Sequence, residues 1–337
     1  MRLFLVFIFA FCTFINAQQN DFNHINFAKA DSIAYLQQGA SLKNLPFLTY
    51  RLTNNLDTDV EKFRAIYIWV SFNIENDYSS YLRTKKKRKK IKRDETAFLA
   101  WNKGYTPKMF LKLVSDKKTA CTGYAYLIKE MASLAGLECK IINGFGRVLN
   151  ANLNLNSVPN HSWNSIKLNN KWYLCDATWS AGTFVIKDNI PTFKKEYVNG
   201  YFLTNPEVFS KNHYPIDKKW LFTKEPVSFK AFLDAPLLYK GALQLSTFPV
   251  VPDRMSISIE KSKLFKIELV SEEKLSKNDL IFFILNTGNQ REPVIPKIKE
   301  TKNGYVLSHL FNNRGSYDLH LNINGKAIAT YVVNVTK

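Results

Sequence analysis

From residue 18 to about 75, apolar positions recur at helical spacing. Thr58 and Glu61 stand as a capping box ahead of Val60, Phe63, Tyr67, Val70 and Ile74, an apolar stripe on one helix face. A second helix is predicted with Thr106 as N-cap and Pro107 at its first position, running through Met109, Phe110 and Leu113. A third begins at Cys121. Tyr124, Leu127, Ile128, Met131 and Ala135 form its inner stripe, and Gly136 ends it. From Glu138 the pattern turns extended through Ile141 and Ile142. Two strands, His161–Leu168 and Lys171–Thr178, flank Asn169-Asn170, a turn pair tolerant of positive φ. This part of the chain is predicted to be α+β, with helices first and an antiparallel sheet after them.

Beyond about Val227 the texture changes to short alternating strands separated by turn residues: Ser256–Glu260, Lys266–Val270, Leu280–Leu285, Tyr317–Ile323 and Ala327–Val335. Asn313 to Tyr317 has the spacing of a tyrosine corner, in which a phenol bonds backbone a few residues upstream. Strands at this spacing without helices predict an all-β, immunoglobulin-like sandwich over 227–337.

Composition narrows the class. With 337 residues, 46% of them hydrophobic, and only 13 Gly and 12 Pro, a disordered or collagen-like chain is excluded and two domains are expected. The net charge is +19, and nine of the positive charges lie between Arg83 and Arg93, where there is no acid. Half of the excess is therefore local. Ile91 is the run's one apolar residue, so it reads as a solvated loop, the alternative being a surface that grips an anionic polymer or headgroup. No aromatic residue is interleaved in it for base stacking, which argues against a specific nucleic-acid module.

The first seventeen residues read as a signal peptide: Arg2, the apolar run LFLVFIFAFCTFI, then Ala17 at the cleavage point, leaving Gln18 first. The run is shorter than the roughly 20 residues of a transmembrane helix, and no later stretch is long enough. A secreted or periplasmic chain is expected.

Cleavage would leave Cys121, Cys139 and Cys175, an odd number for an oxidising compartment, so at least one thiol should stay unpaired. Cys121 sits where a helix starts, and unpaired amides and the helix dipole favour thiolate there. Cys139 and Cys175 lie within elements and read as inert apolar residues. With Asn169-Asn170 as a two-residue turn, Leu168 faces Lys171 and Asp176 falls opposite Trp163. His161 lies two residues further along the same face, within side-chain reach of Asp176. A carboxylate there can hold one imidazole nitrogen and leave the other for a thiol, the base-plus-orienter logic of nucleophilic catalysis.

The segments KKTACTGYAYLIKEMASLAGLECKIINGFGR and NHSWNSIKLNNKWYLCDATWSAG closely resemble the transglutaminase-like superfamily, best its branch of the kyphoscoliosis-peptidase and cytokinesis-protein type. Upstream, Arg64 to Tyr67 and Trp69 resemble the helix preceding that family's core. Downstream, Tyr201 to Pro206 and His213-Tyr214-Pro215 through Trp220 resemble its closing segment, so the likeness covers residues 57–222, after a helical segment at 18–56. The resemblance implies a papain-like fold in which Cys121 is the nucleophile, His161 general base and acid, and Asp176 the orienter. The Cys121 amide would hold the oxyanion with a second donor that the sequence leaves unidentified.

The implied chemistry is attack on a peptide amide and a thioester resolved by water, as in a peptidase or amidase, or by an amine, as in an acyl transferase. Trp179, just past Asp176, is the candidate for lining the cleft, whereas Trp163 and Trp172 read as packing residues and His213 as packing or capping. Asn160-His161-Ser162 fits the glycosylation pattern, but a glycan there would obstruct the cleft. No acidic cluster resembles the calcium sites of animal transglutaminases, and no His/Cys set has zinc spacing, so no metal or other cofactor is expected. Some members of the superfamily have lost activity, which leaves a catalytically inactive scaffold or binding protein as the alternative.

Overall fold

The computed structural model describes residues 21–91, 94–149, 151–276, 278–288 and 290–337. The signal-peptide reading, and Lys92 and Arg93 of the basic run, lie outside them.

Six helices come first: α1 (Ala28–Leu36), α2 (Leu45–Thr53), α3 (Asp59–Asn73), α4 (Tyr78–Ile91), α5 (Glu95–Asp116) and α6 (Cys121–Leu134). The capping box of α3 is formed: the Thr58 hydroxyl accepts from the Glu61 amide at 3.3 Å, and the Glu61 carboxylate accepts from the Thr58 amide at 3.1 Å. The apolar stripe predicted one buried face, yet every residue from Phe63 to Ser71 is buried. Helix α3 is central, with neighbours on all sides. Even Arg64 is enclosed, its guanidinium forked onto Asp31 at 2.6 and 2.9 Å.

Two helix readings are corrected. The basic run is no solvated loop: α4 carries it to Ile91, with Ser80, Thr84 and Arg88 on a buried face and its lysines exposed. Asp77 anchors the start, accepting from the Ser79 amide at 3.1 Å. Helix α5 begins at Glu95 rather than after Thr106, because Asp94 accepts from the Ala97 amide at 2.8 Å and so caps it. Helix α6 begins at Cys121 and buries Tyr124, Leu127, Ile128 and Met131.

Strands β1 (Cys139–Gly146), β2 (His161–Leu168) and β3 (Lys171–Cys175) are followed by the short helix α7 (Ala177–Ala181), a hairpin of β4 (Gly182–Lys187) and β5 (Ile190–Lys195), and β6 (His213–Pro215). They form an antiparallel sheet in the order β3-β2-β1-β6. Asn169 and Asn170 both take positive φ, 48° and 61°, and Leu168 pairs with Lys171 as the turn requires. The last strand stops at Cys175, short of Thr178, because Asp176 leaves the ladder to cap α7.

The chain then builds two further sheets from β7 (Thr247–Val251), β8 (Ser256–Glu260), β9 (Leu264–Ser271), β10 (Ile281–Thr287), β11 (Gln290–Val294), β12 (Lys297–Thr301), β13 (Gly304–Leu310), β14 (Gly315–Ile323) and β15 (Lys326–Thr336). One sheet runs β7-β9-β13-β12, and the other β8-β15-β14-β10-β11 with Leu237–Leu238 against β15. The pairing of β8 with β15 is parallel, an exception in an otherwise antiparallel sandwich. The tyrosine corner is formed, Tyr317 donating to the Asn313 carbonyl at 3.0 Å. Ile142, Trp163 and Leu174 of the first sheet join the sandwich residues Leu238, Phe248 and Phe283 in one apolar cluster. At ~1.5–3 kcal/mol for each large apolar side chain fully buried, that cluster ties the sandwich firmly to the first sheet. Among the described residues no helix is long and apolar enough to cross a membrane.

Candidate functional site

Four elements converge on one buried point. Cys121 opens α6, so its amide and that of Thr122 have no carbonyl partner within the helix. Helix α6 is held against β2 by Asn164, whose side-chain amide donates to the Ala125 carbonyl at 2.9 Å, and against the end of α3 by Tyr124, which donates to the Ile74 carbonyl at 2.6 Å. Gly123 is required where it stands: a Cβ there would lie 1.9 Å from the Thr119 hydroxyl oxygen. His161 is the first residue of β2 and faces Gly144 of β1. Asp176 follows β3 directly.

His161 Nε2 lies 2.7 Å from Asp176 Oδ2. That leaves Nδ1 for the Cys121 thiol, on whose ionisation both the His161 side chain and the Ser162 amide act. The other Asp176 oxygen accepts from the amides of Thr178 at 2.9 Å and Trp179 at 3.3 Å, so capping α7 also fixes the carboxylate. Trp179 stacks on the His161 ring, with centroids 4.8 Å and planes 21° apart. The residues singled out in the sequence are thus brought together, although Asp176 reaches His161 from beyond the end of the ladder rather than across it.

The electrostatics follow from these contacts. Burial alone would raise the Cys121 thiol, but the His161 hydrogen bond and charge, the Arg88 charge and the Ser162 amide bring it down to about 7. Burial would lower the His161 imidazole. The charge and hydrogen bond of Asp176, with Cys121 behind them, lift it to about 9. Asp176 is also pressed upward by burial, yet His161 and His213 hold it well below the usual carboxylate range. Between about pH 7 and 9 the pair therefore stands as thiolate and imidazolium. Cys139 and Cys175 are free, buried thiols that burial pushes upward, Cys139 to about 12.

Three participants escaped the sequence reading. His213, read as a packing or capping residue, stands on β6 with its Nε2 3.1 Å from the same Asp176 oxygen and its ring stacked on Phe209 at 3.8 Å. Burial lowers it to about 4, so it is a neutral donor. The ligand atoms of His161, Asp176 and His213 lie within 4.8 Å of one another. Both imidazole N–H groups point at one carboxylate oxygen, so we assign the trio as a hydrogen-bond network rather than an ion site. Its sequence signal was present: His213 is one of only five histidines and lies in a segment matching the family pattern.

Gly146 is the second. A Cβ there would lie 2.9 Å from His161 Cβ and 3.0 Å from Cγ, so this glycine makes room for the ring. Asn160 clamps its backbone, accepting from the Gly146 amide at 2.6 Å and donating to the Gly146 carbonyl at 2.9 Å, which engages the side chain a glycan would need.

Arg88 is the third. From within the basic run it donates through Nη1 to the His161 carbonyl at 3.2 Å. Its Nη2 donates to the hydroxyls of Ser162 at 2.9 Å and Thr122 at 3.3 Å. No sequence pattern distinguished it from its charged neighbours.

A family model of the transglutaminase-like superfamily matches residues 46–177. Human kyphoscoliosis peptidase is 30% identical over 201 residues, covering 59% of this chain and 27% of that protein. Hillarin of Drosophila melanogaster is 25% identical over 227 residues, covering 64% and 25%, and the Lim and transglutaminase domain protein of Caenorhabditis elegans is 26% identical over 223 residues, covering 63% and 28%. The chain spans about a quarter of the length of these relatives. Residues 46–177 thus carry a transglutaminase-like domain, and through it the chain is similar to the branch that includes kyphoscoliosis peptidase and hillarin.

Proposed function

We propose that this protein is an exported thiol enzyme that attacks peptide amides through Cys121, His161 and Asp176. The observation that carries the reading is the thiol–imidazole–carboxylate series, with a thiol drawn down to about 7 while burial opposes it. The thiolate adds to the amide carbonyl carbon, and the negative charge passes to the carbonyl oxygen beside the free amides that open α6. His161 gives its proton to the leaving nitrogen, the C–N bond breaks, and a thioester on Cys121 remains. Water or a second amine then gives a proton to His161 and attacks the thioester, releasing an acid or a new amide and restoring the pair. Asp176 keeps the ring in the tautomer this needs. Trp179, stacked on that ring, is the wall against which the acyl group would lie.

The organisation that goes with this reading is a signal peptide over 1–17, a helical segment over 18–56, a transglutaminase-like domain over 57–222 and a sandwich over 227–337, in a secreted or periplasmic protein. The test is incubation of the protein with glutamine-containing peptides, with and without a primary amine, followed by mass spectrometry. Deamidated, cleaved or amine-bearing product that disappears in Cys121→Ala supports the reading, and unchanged peptide in all samples removes it.

A second reading, an inactive scaffold or binding protein, is favoured by the closure of the site: Cys121 and His161 are each only 6% exposed, and Arg88 of α4 bonds the His161 carbonyl. Slow alkylation of Cys121 at neutral pH would select that reading. The exposed lysines of α4 supply the anionic-surface partner of either version, through binding that must weaken as salt is raised.

A further inference from the structure

Most of α4 presents lysine to solvent, but position 88 falls on the face of Ser80 and Thr84, and Arg88 is 2% exposed. Among the described residues no carboxylate pairs with it. Its acceptors are a backbone carbonyl and two hydroxyls, and its Nε has no acceptor at all. The ring of Phe98 lies 5.2 Å from its carbon. Neutral acceptors satisfy N–H groups but do not neutralise charge, and a buried cation with no counter-ion costs several kcal/mol. The groups it grips show where the counter-ion is. Thr122 follows Cys121 in the chain, and Ser162 follows His161, the residue whose ring faces the thiol.

We infer that Arg88 is a positioning residue of the Cys121 site, a buried cation brought in by the lysine-rich helix that holds Cys121 as thiolate and fixes the His161–Ser162 backbone beside it. This rests on the thiol-enzyme reading above. The titratable and charged groups at the site are Cys121 on α6, His161 on β2, Asp176 after β3, His213 on β6 and Arg88 on α4. With His213 neutral, an ionised Asp176, a protonated His161 and a thiolate sum to one negative charge, and Arg88 brings the enclosed set to zero. Cys139 supplies the contrast within the same fold: equally enclosed, with no imidazole or guanidinium against it, it stays a thiol. Arginine suits the position because its fork spans from α6 to β2, joining Thr122 to Ser162, which a single ammonium would do less well.

The test is the pH profile of Cys121 alkylation by iodoacetamide in the native protein and in Arg88→Gln, Arg88→Lys and His161→Ala. Arg88→Gln retains polar contacts without charge, and its midpoint should rise by roughly one pH unit or more, the effect of removing a nearby opposite charge. Arg88→Lys should stay within a few tenths of native. An Arg88→Gln profile that overlays an activated native profile overturns the role of Arg88 and leaves the enzyme reading standing. A native midpoint at the ordinary thiol value, unchanged in His161→Ala, overturns both.

The native chain gives a second measurement should Arg88→Gln not fold. Capping Cys121 with neutral iodoacetamide strips the anion from beside Arg88, whereas iodoacetate leaves a carboxylate there. Amide hydrogen exchange over residues 78–91 should be faster in the first adduct than in the second, and equal exchange overturns the inference.

Discussion

Asp176→Asn preserves the size of the side chain and removes its charge. Against burial, the carboxylate is the larger of the two influences, with Cys121 the smaller, that lift His161 from its ordinary 6.5 to about 9. That interval corresponds to roughly 3 kcal/mol of support for the imidazolium, at ~1.4 kcal/mol per pKa unit. Without it burial prevails, the ring stays neutral, and Cys121 moves from about 7 to its ordinary 9 or above. At pH 7 the thiolate fraction then falls from about one half to about one in a hundred, roughly fifty-fold. A more basic thiolate is also a better nucleophile, and a Brønsted slope of ~0.4–0.5 returns about eightfold. Iodoacetamide labelling of Cys121 should therefore be about sixfold slower than native at pH 7. By the same reasoning it should be about fourfold faster at pH 9, where half of the variant's thiols are ionised. Rates measured by peptide mass spectrometry across this range should cross. Two parallel profiles, with no crossing, would refute the electrostatic account even if the variant were slower throughout.

The remaining predictions bear on the groups around the pair. Gly146→Ala should push the His161 ring by a few tenths of an ångström, since the new Cβ would stand 2.9 Å from His161 Cβ. Labelling at pH 7 should fall about tenfold with little change in the unfolding midpoint. His213→Phe keeps the stack on Phe209 but deletes a donor to Asp176, so urea unfolding should show a loss of ~1.5–3 kcal/mol. No loss would mean that the His213 contact is incidental. Stability against pH should separate the native protein from Cys121→Ser. Folded His161 lies above its unfolded value, so its contribution is complete below about 6.5 and lost as pH rises towards 9. Folded Cys121 lies below its unfolded value and contributes in the opposite sense over nearly the same range. The native curve should therefore be flat from about pH 7 to 8.5, whereas Cys121→Ser should lose stability across it. Parallel curves in urea titrations would count against the ion pair.

What the sequence showed, and what it hid, divides along physical lines. Helix α6 and the β2–β3 hairpin were legible because each carries a local signal: an apolar stripe ending at Gly136, and Asn169-Asn170 held at positive φ. The hairpin register alone placed His161 near Asp176. The strands Gln290–Val294 and Lys297–Thr301 were not seen, and both are almost wholly exposed, with no alternation of apolar and polar residues to mark them. His213 was read only in part: its ring packs on Phe209 and Trp179 as the packing reading expects, and its Nε2 has a second role that reading did not include.

Helix α4 was the larger miss, and its cause bears on the chemistry. Periodicity finds a helix by its apolar face, and the inward face here is Ser80, Thr84 and Arg88, spaced by four yet polar throughout. A face of that kind cannot be stabilised by hydrophobic burial. It docks through hydrogen bonds and charge, and its ends are secured by Asp77 bound to Lys112 at 3.2 Å and by Arg88 on Thr122, Ser162 and His161. The attachment of α4 beside Cys121 is therefore electrostatic, made by a cation on the residues that flank the thiol and the imidazole. A helix read as a charged surface feature thus brings a second cation, after the His161 imidazolium, to the nucleophile's site.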